Sequence, residues 1–341
     1  MARVTIEDVA LEAGLSVATV DRVLNGRAAV RPQTALRVEK AIRQLNYQPD
    51  RLAARLAKGQ EYRFCFVLPE GNNGFMIGLG EEVRAIALRL VSERVHIDLR
   101  LTDVFDAATL AATLDSIGDI YDGVAVVALD HPRVREAING LVERGVAVVT
   151  LVSDVPSSKR SHYAGIDNSS AGRTAATLMG RFLGGKKGKV GLIAGSLSLR
   201  DHIERRFGFE QVLAQEFPDL AILPVLESRD DWQRVEKVTA EMLSSHPDLI
   251  GIYNVGAGAR GIVAALENTG RQKQITYIAH ELTDHTRRAL VDGTIDVIIN
   301  QNAGHEVRSA VRVLMAKADR TPLIEAMEHI RIDIFVRDNL P

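Results

Sequence analysis

The residues whose chemistry stands out in this chain are amides and acids placed just beyond short apolar runs. Asn73 and Phe75 follow Phe64–Leu68, and Asp130 follows Val124–Leu129. Asn254 ends Leu249–Tyr253, Glu281 follows Ile275–His280, and Gln301 closes Val297–Asn300. An amide such as Asn73 hydrogen-bonds hydroxyls, Asp130 can accept two hydroxyl protons, and Phe75 can stack on the face of a ring. A polar ring with one aromatic platform suits a polyhydroxylated ligand. Catalysis is not expected. The nine histidines are dispersed, with no H-E-x-x-H, G-x-S-x-G or P-loop, and Gly184-Gly-Lys-Lys-Gly-Lys189 lacks the P-loop spacing. His280, Glu281 and His285 fit no familiar metal spacing, so neither metal nor cofactor is expected. One competing pattern stands: Gly256-Ala-Gly-Ala-Arg-Gly261 is a G-x-G-x-x-G after a strand, with Glu281 twenty residues beyond Gly261. A dinucleotide-binding α/β enzyme is therefore the alternative reading.

Such positions need strands that end at one crevice. Strand-like runs recur at Phe64–Leu68, Ile97–Leu101, Val124–Leu129, Ala147–Val152, Val190–Ala194, Ala221–Leu226, Leu249–Tyr253, Ile275–Ile278 and Val297–Ile299. Each except the last is read as followed by a helical stretch. Near-continuous apolar strands separated by helices predict parallel sheets covered on both faces. Eight or nine such units predict two lobes, since open sheets are commonly about six strands wide. The lone Cys65 excludes an internal disulfide and a cysteine-based zinc cluster, and lies within an apolar run as a small buried residue. No apolar run approaches the roughly 18 residues that span a bilayer. Acids stand where a signal peptide needs apolar residues, so a cytoplasmic protein is expected.

The first 60 residues are different in character. They carry ten Lys and Arg against six Asp and Glu, a net +4 that leaves −6 for the remainder. A basic head on an acidic body points to a polyanion partner for the head. Ile6, Val9, Ala10 and Ala13 repeat at helical spacing and stop at Gly14, a helix C-cap. Ser16 caps a second helix with Val17, Val20, Val23 and Leu24 as its apolar positions, and a third runs from Pro32 to about Leu45. Pro49 opens a short fourth segment, 50–57. The Gly14–Ser16 turn has the spacing of a helix-turn-helix, whose second helix lies in the major groove. Arg22 can pair bidentately with a guanine, and Val17 and Ala18 can pack on thymine methyls. Ser16 and Thr19 are candidates for phosphate contacts. The bland alternative is a three-helix protein-binding module.

Residues 4–60 resemble the lactose/galactose repressor (LacI/GalR) family in Thr5-Ile-Glu-Asp-Val-Ala, Ala13-Gly-Leu-Ser, Thr19-Val, Arg22-Val-Leu-Asn25 and Leu45-Asn-Tyr-Gln-Pro49. Arg51-Leu-Ala-Ala-Arg-Leu-Ala-Lys-Gly59 resembles the family's hinge. The resemblance implies a DNA-reading head with Thr5 and Asn25 among its contacts. It also implies a hinge helix that forms on DNA as a pair from two subunits. There Ala53 permits close approach, Arg51 and Arg55 meet the backbone, and Leu56 wedges into the minor groove. Asp21 departs from the small hydroxyl residue common in the family, and can accept from a cytosine amine or pair with Arg22's neighbours.

The resemblance continues through the body to the type I periplasmic sugar-binding fold, most strongly in Leu68-Pro-Glu-Gly-Asn-Asn-Gly-Phe-Met76, which looks like ribose-type binders. It implies that Arg205, three residues before Gly208-Phe209, points into the cleft, and that Glu281 stands where Asp is usual. Val152-Ser-Asp154 replaces an arginine–aspartate pair, leaving Asp154 a weak candidate.

The layout expected is an all-α head at 1–48, a hinge at 49–61, and an α/β two-lobed body at 62–341. The first lobe is placed at about 62–165 and 298–325, the second at about 166–297 and 326–341. The family implies a transcription regulator, a repressor controlled by a sugar, polyol or sugar-derived effector; its members include effector-released and effector-required repressors, and release is the expectation. It would act on a pseudo-palindromic operator as a homodimer, with no heptad extension to build tetramers.

Overall fold

The computed structural model describes residues 4–24, 30–45, 47, 61–229 and 231–341. The chain divides into two compact units, 1–61 and 62–341, each with its own core.

In the first unit, α1 (Ile6–Ala13), α2 (Val17–Leu24) and α3 (Pro32–Leu45) enclose Val9, Val20 and Val38, all fully buried. Thr5 opens α1 with a capping box. Its hydroxyl accepts from the Asp8 N–H at 3.3 Å, and the Asp8 carboxylate accepts from the Thr5 N–H at 2.7 Å. Gly14 closes α1 at φ 60°, the left-handed region that favours glycine. Arg37 of α3 then donates Nη2 to the carbonyls of Ala13 and Gly14 at 2.6 and 3.2 Å, satisfying orphan groups at that helix end. Ser16 accepts from the Thr19 N–H at 3.3 Å and so opens α2. The fourth helical segment expected at 50–57 lies outside the described residues.

The second unit holds two sheets. The first has β1 (Tyr62–Pro69), β2 (Val95–Thr102), β3 (Gly123–Val126), β4 (Ala147–Leu151) and β5 (His162–Ala164), all parallel in the order β2-β1-β3-β4-β5. Its helices are α4 (Gly74–Leu90), α5 (Ala107–Asp115) and α6 (Pro132–Glu143). The second sheet has β6 (Gly188–Ala194), β7 (Leu220–Ile222), β8 (Leu226–Glu227), β9 (Leu249–Asn254), β10 (Thr276–His280), β11 (Val297–Asn300) and β12 (Asp333–Phe335). Its order is β12-β11-β10-β9-β6-β7, with β8 also on β6; only β12 runs antiparallel. Its helices are α7 (Asn168–Leu183), α8 (Arg200–Glu216), α9 (Trp232–Ser245), α10 (Ala259–Asn268) and α11 (Asp284–Val291). A further helix, α12 (Ala303–Ala318), packs back onto the first sheet.

The central strands are apolar because both faces are covered, whereas the edge strand β2 alternates, with His96, Asp98 and Arg100 among its exposed or half-buried positions. In β1, Phe64, Phe66 and Leu68 enter one core layer while Cys65 and Val67 enter the other, and all five are fully buried. Burial pushes the Cys65 thiol up to about 11, which keeps it protonated and inert. In each sheet the strand order reverses beside its first strand, between β1 and β3 and between β6 and β9. Ligand crevices open at such switch points, beyond the carboxyl ends of the strands.

Four departures from the sequence pattern have local causes. Val297–Ile299 is followed by a helix after all, α12. Ala147–Val152 is followed first by β5 and only then by α7. The run Ala221–Leu226 splits into β7 and β8 around Pro224, which has no N–H for a ladder. β11 belongs to the second sheet throughout, so the chain returns to the first lobe after Asn300 rather than at 298.

The tightest helix pairing is α7 against α8, and glycine makes it possible. A Cβ on Gly172 would lie 1.9 Å from the Arg205 carbonyl oxygen, and one on Gly208 would lie 2.3 Å from the Ser169 carbonyl oxygen. Gly172→Ala is therefore expected to force the helices apart and cost about 1–3 kcal/mol, as overpacking does. Equilibrium urea unfolding checks this, and an unchanged midpoint would contradict the close approach.

Candidate functional site

A cavity of about 660 Å³ opens beyond the strand ends of both sheets. From the first sheet come Asn73, Phe75, Met76, Val127 and Ser153; from the second come Asp201, Arg205, Trp232, His280, Glu281 and Gln301. The lobes touch at its rim, where a Cβ on Gly74 would stand 3.3 Å from Thr283 Cγ2.

Arg205 is the centre of the floor. It is the largest of the fully buried side chains, 2% exposed, held in place where α8 crosses α7. Its Nε donates to Asn168 Oδ1 at 2.8 Å and its Nη1 to the Val255 carbonyl at 2.9 Å. Nη2 has no hydrogen-bond partner and stands 3.7 Å from Glu281 Oε1. Asp201, one turn earlier on the same helix, is also buried, with Oδ1 unpartnered. Asn168 is fixed in turn by donating Nδ2 to the Tyr163 hydroxyl at 3.0 Å, and that hydroxyl donates to the Val152 carbonyl at 2.8 Å. The guanidinium is thus preorganised, on a residue that lines the cavity.

Glu281 leaves β10 at φ 66°, and that left-handed step turns its carboxylate inward. Gln301 donates to it twice, from Nε2 to Oε1 at 2.7 Å and from its backbone N–H to Oε2 at 3.3 Å. Burial nevertheless pushes the Glu281 carboxyl up from 4.5 to about 7, against the opposing pull of Arg205 and Gln301. Because the folded value is the higher one, the stability linked to this group is whole below pH 4.5 and is lost as pH rises towards 7. Glu281→Gln removes the titration. Relative to wild type, its unfolding free energy should improve steadily between those two pH values, and a pH-independent difference would refute the shift. Glu306, fully buried with neither oxygen partnered, is pushed up in the same direction by burial and by Glu281. His280 is held well below its ordinary range by burial; its Nε2 lies 2.7 Å from the Tyr253 hydroxyl, and its Nδ1 is unpartnered.

Of the seven residues expected here, Asn73, Phe75, Arg205, Glu281 and Gln301 line the cavity. Asn73 also caps α4, its Oδ1 accepting from the Phe75 and Met76 N–H groups at 3.0 and 3.3 Å. Asp130 does not line it. β3 ends at Val126, so by Asp130 the chain has run past the crevice, where Arg135 and Arg200 engage the carboxylate at 3.3 and 3.4 Å. Asn254 does not line it either: fully buried, it donates to the Ala257 carbonyl at 3.3 Å and so braces the loop that does. Asp154 turns away to a bidentate pair with Arg160, and its neighbour Ser153 lines the cavity instead. Sequence reasoning passed over Asp201, Trp232, Arg260 and Arg288. Asp201 had a signal, lying four residues before Arg205 on one helix face.

The rival glycine pattern serves packing. A Cβ on Gly261 would meet the Trp232 carbonyl oxygen at 2.1 Å, so this glycine lets α10 lie against α9. Glu281 is buried against Arg205 and Gln301.

In the head, the first turn of α2 presents an outward face. Ser16, Val17, Ala18 and Arg22 are exposed, Val17 by 41%, while Thr19 and Asp21 are half-buried. The Thr19 hydroxyl sits 2.9 Å from that of Ser16, and Thr5 is exposed at the start of α1. Asn25, Arg51, Ala53, Arg55 and Leu56 lie outside the described residues. Among the described residues no helix is long and apolar enough to cross a membrane.

Known proteins bear on both units. Residues 5–50 match the family described as bacterial regulatory proteins, lacI family, and residues 64–321 match the periplasmic binding protein domain. The HTH-type transcriptional regulator AglR of Rhizobium meliloti is 30% identical over 216 residues, 62% of this chain and 58% of AglR. The ribose operon repressor of Bacillus subtilis is 26% identical over 257 residues, 73% of this chain and 71% of the repressor. Among solved structures, the glucose-galactose binding protein GanP of Geobacillus stearothermophilus has a TM-score of 0.73 at 23% identity, covering 83% of this chain and 99% of GanP. A solute-binding protein of Burkholderia graminis in complex with D-arabinose has a TM-score of 0.75 at 24% identity, covering 82% and 96%. These two show the fold of the body.

Proposed function

We propose that this chain, whose residues 5–50 match the lacI family of bacterial regulatory proteins and whose residues 64–321 match the periplasmic binding protein domain, is a cytoplasmic repressor whose grip on operator DNA is set by a hydroxyl-rich small molecule in the cleft. α2 enters the major groove, with Arg22 on a guanine, Val17 and Ala18 on thymine methyls, and Ser16 and Thr19 on phosphates. Two heads of a homodimer read a pseudo-palindromic site, and the hinge, with Arg51, Ala53, Arg55 and Leu56, completes the contact. Effector binding changes the closure of the lobes, and with it the spacing of the two hinges.

One observation carries the cleft reading. Besides His285 Nε2, five buried polar atoms on residues that line the cavity lack a hydrogen-bond partner among the described residues: Ser153 Oγ, Asp201 Oδ1, Arg205 Nη2, His280 Nδ1 and Gln301 Oε1. Each leaves about 1–3 kcal/mol unrecovered until something hydrogen-bonds it. A molecule with several hydroxyls, each both donor and acceptor, answers all five, while Phe75 and Trp232 offer its ring apolar faces. The likeness to a ribose operon repressor supports the same class.

A thermal-shift screen of pentoses, hexoses, polyols and their phosphates against the purified chain tests this. At least one should raise the melting temperature saturably and also lower the affinity for a selected duplex. A screen in which none binds would remove the cleft from the mechanism.

A further inference from the structure

One side of the cleft has a charge that a neutral sugar does not use. Arg260 and Arg288 both line the cavity, and neither has a carboxylate within ion-pair distance among the described residues. Arg260 instead rests on the Trp232 ring, its Cζ 4.1 Å from the centroid. His285 lies with them on the wall. Its Nε2 is buried without a partner, and its imidazole is held below its ordinary range by burial first and then by the charges of Arg260 and Arg288. The chain between β9 and α10, Gly256-Ala-Gly-Ala259, forms the wall beside them, and α10 starts there without a side-chain cap. The N–H groups and partial positive charge of a helix N-terminus favour an anion. The acids of the cavity do not answer these cations. Asp201 and Glu281 are on the floor around Arg205, and Asp284 is exposed at the start of α11, with no ion pair among the described residues.

Resting on the polyol reading above, we infer that the effector is an anionic polyhydroxylated molecule, its hydroxyls on the floor around Arg205 and its oxyanion on Arg260, Arg288 and His285. A phosphate monoester and a carboxylate both supply that chemistry. The guanidinium forks suit either, through paired N–H···O bonds. The unpartnered floor atoms, Arg205 Nη2 and Gln301 Oε1 on side chains 98% buried, require that hydroxyls be present too. Inorganic phosphate alone is thus a poor substitute.

The test is a binding panel on the full chain, read by the emission of Trp232, the single tryptophan, which Arg260 covers. The probes are neutral pentoses and hexoses, their terminal phosphate monoesters, the matching aldonates and inorganic phosphate. At least one phosphate or aldonate should bind about tenfold or more tighter than its neutral parent, as a charge-assisted hydrogen bond provides. Its affinity should fall with added salt. Arg288→Gln and Arg260→Gln should each shrink the anion-to-neutral ratio by about tenfold. Phosphate and aldonate arms then tell the two sources apart. Neutral parents that bind as tightly as every charged derivative, with ratios untouched by either substitution, would overturn this inference and leave the polyol reading standing. Silence from the whole panel would overturn both.

Discussion

Arg205→Ala should abolish the response of operator binding to effector while the operator affinity without effector persists. The guanidinium joins α8, Asn168 of α7 and the Val255 loop, on a residue that lines the cavity, and its Nη2 has no hydrogen-bond partner. Its loss removes the proposed ligand contact and also leaves Asn168 Oδ1, the Val255 carbonyl and the buried Asp201 and Glu281 side chains without their cation. Breaking a buried charged cluster from one side costs about 3–5 kcal/mol, so the body should also melt earlier. Arg205→Lys separates the two effects. It keeps the positive charge but loses the planar fork, so the fold should survive while the response is still lost. Fluorescence anisotropy of a labelled operator, with and without effector, reads both variants. A response equal to wild type in Arg205→Lys would place the pocket elsewhere.

The second large effect is at the other end of the chain. Arg22→Ala should weaken specific binding by about 1–3 kcal/mol, the worth of one bidentate base contact, and flatten the preference at one base pair of each half-site. Non-specific, salt-sensitive binding should change little, because phosphate contacts carry it. Arg22 is exposed on the outward face of α2, as a groove residue must be, while Val20 on the opposite face is fully buried. Selection of duplexes from a random pool by the two proteins decides it, and identical consensus sequences would take Arg22 out of the reading set.

The sequence reveals the cleft where chemistry coincides with a strand end. Glu281 and Gln301 each directly follow a strand, and chain direction puts them at its carboxyl end, where such sheets open their crevices. Asp130 follows an apolar run too and yet misses, because β3 stops at Val126 while the apolar text runs on to Leu129. Hydrophobicity does not mark where a ladder hydrogen bond ceases. Asn254 fails differently: it is at a strand end but turned inward to brace Ala257. Arg205 came from family likeness alone, since nothing in a helical stretch says which of several arginines is buried. Its seat depends on Gly172 and Gly208, distant in sequence, allowing two helices to touch. Trp232 and Arg260 come from helix starts and Arg288 from the last turn of α11, and the direction of these helices depends on how the second sheet's connections fold over it. That information is tertiary. The central strands of the parallel sheets, by contrast, are legible because strands buried on both faces have little freedom in composition, whereas the short, half-buried β5 is not.

The account rests on a linkage between the cleft and the DNA-reading head, and linkage is reciprocal for binding free energies. The direct measurement is the affinity of the identified effector, from Trp232 emission, with the full chain free and with it saturated by operator. Operator should weaken effector binding by the same factor by which effector weakens operator binding. An effector affinity that does not change when operator is bound would mean that the two sites share a chain and nothing more.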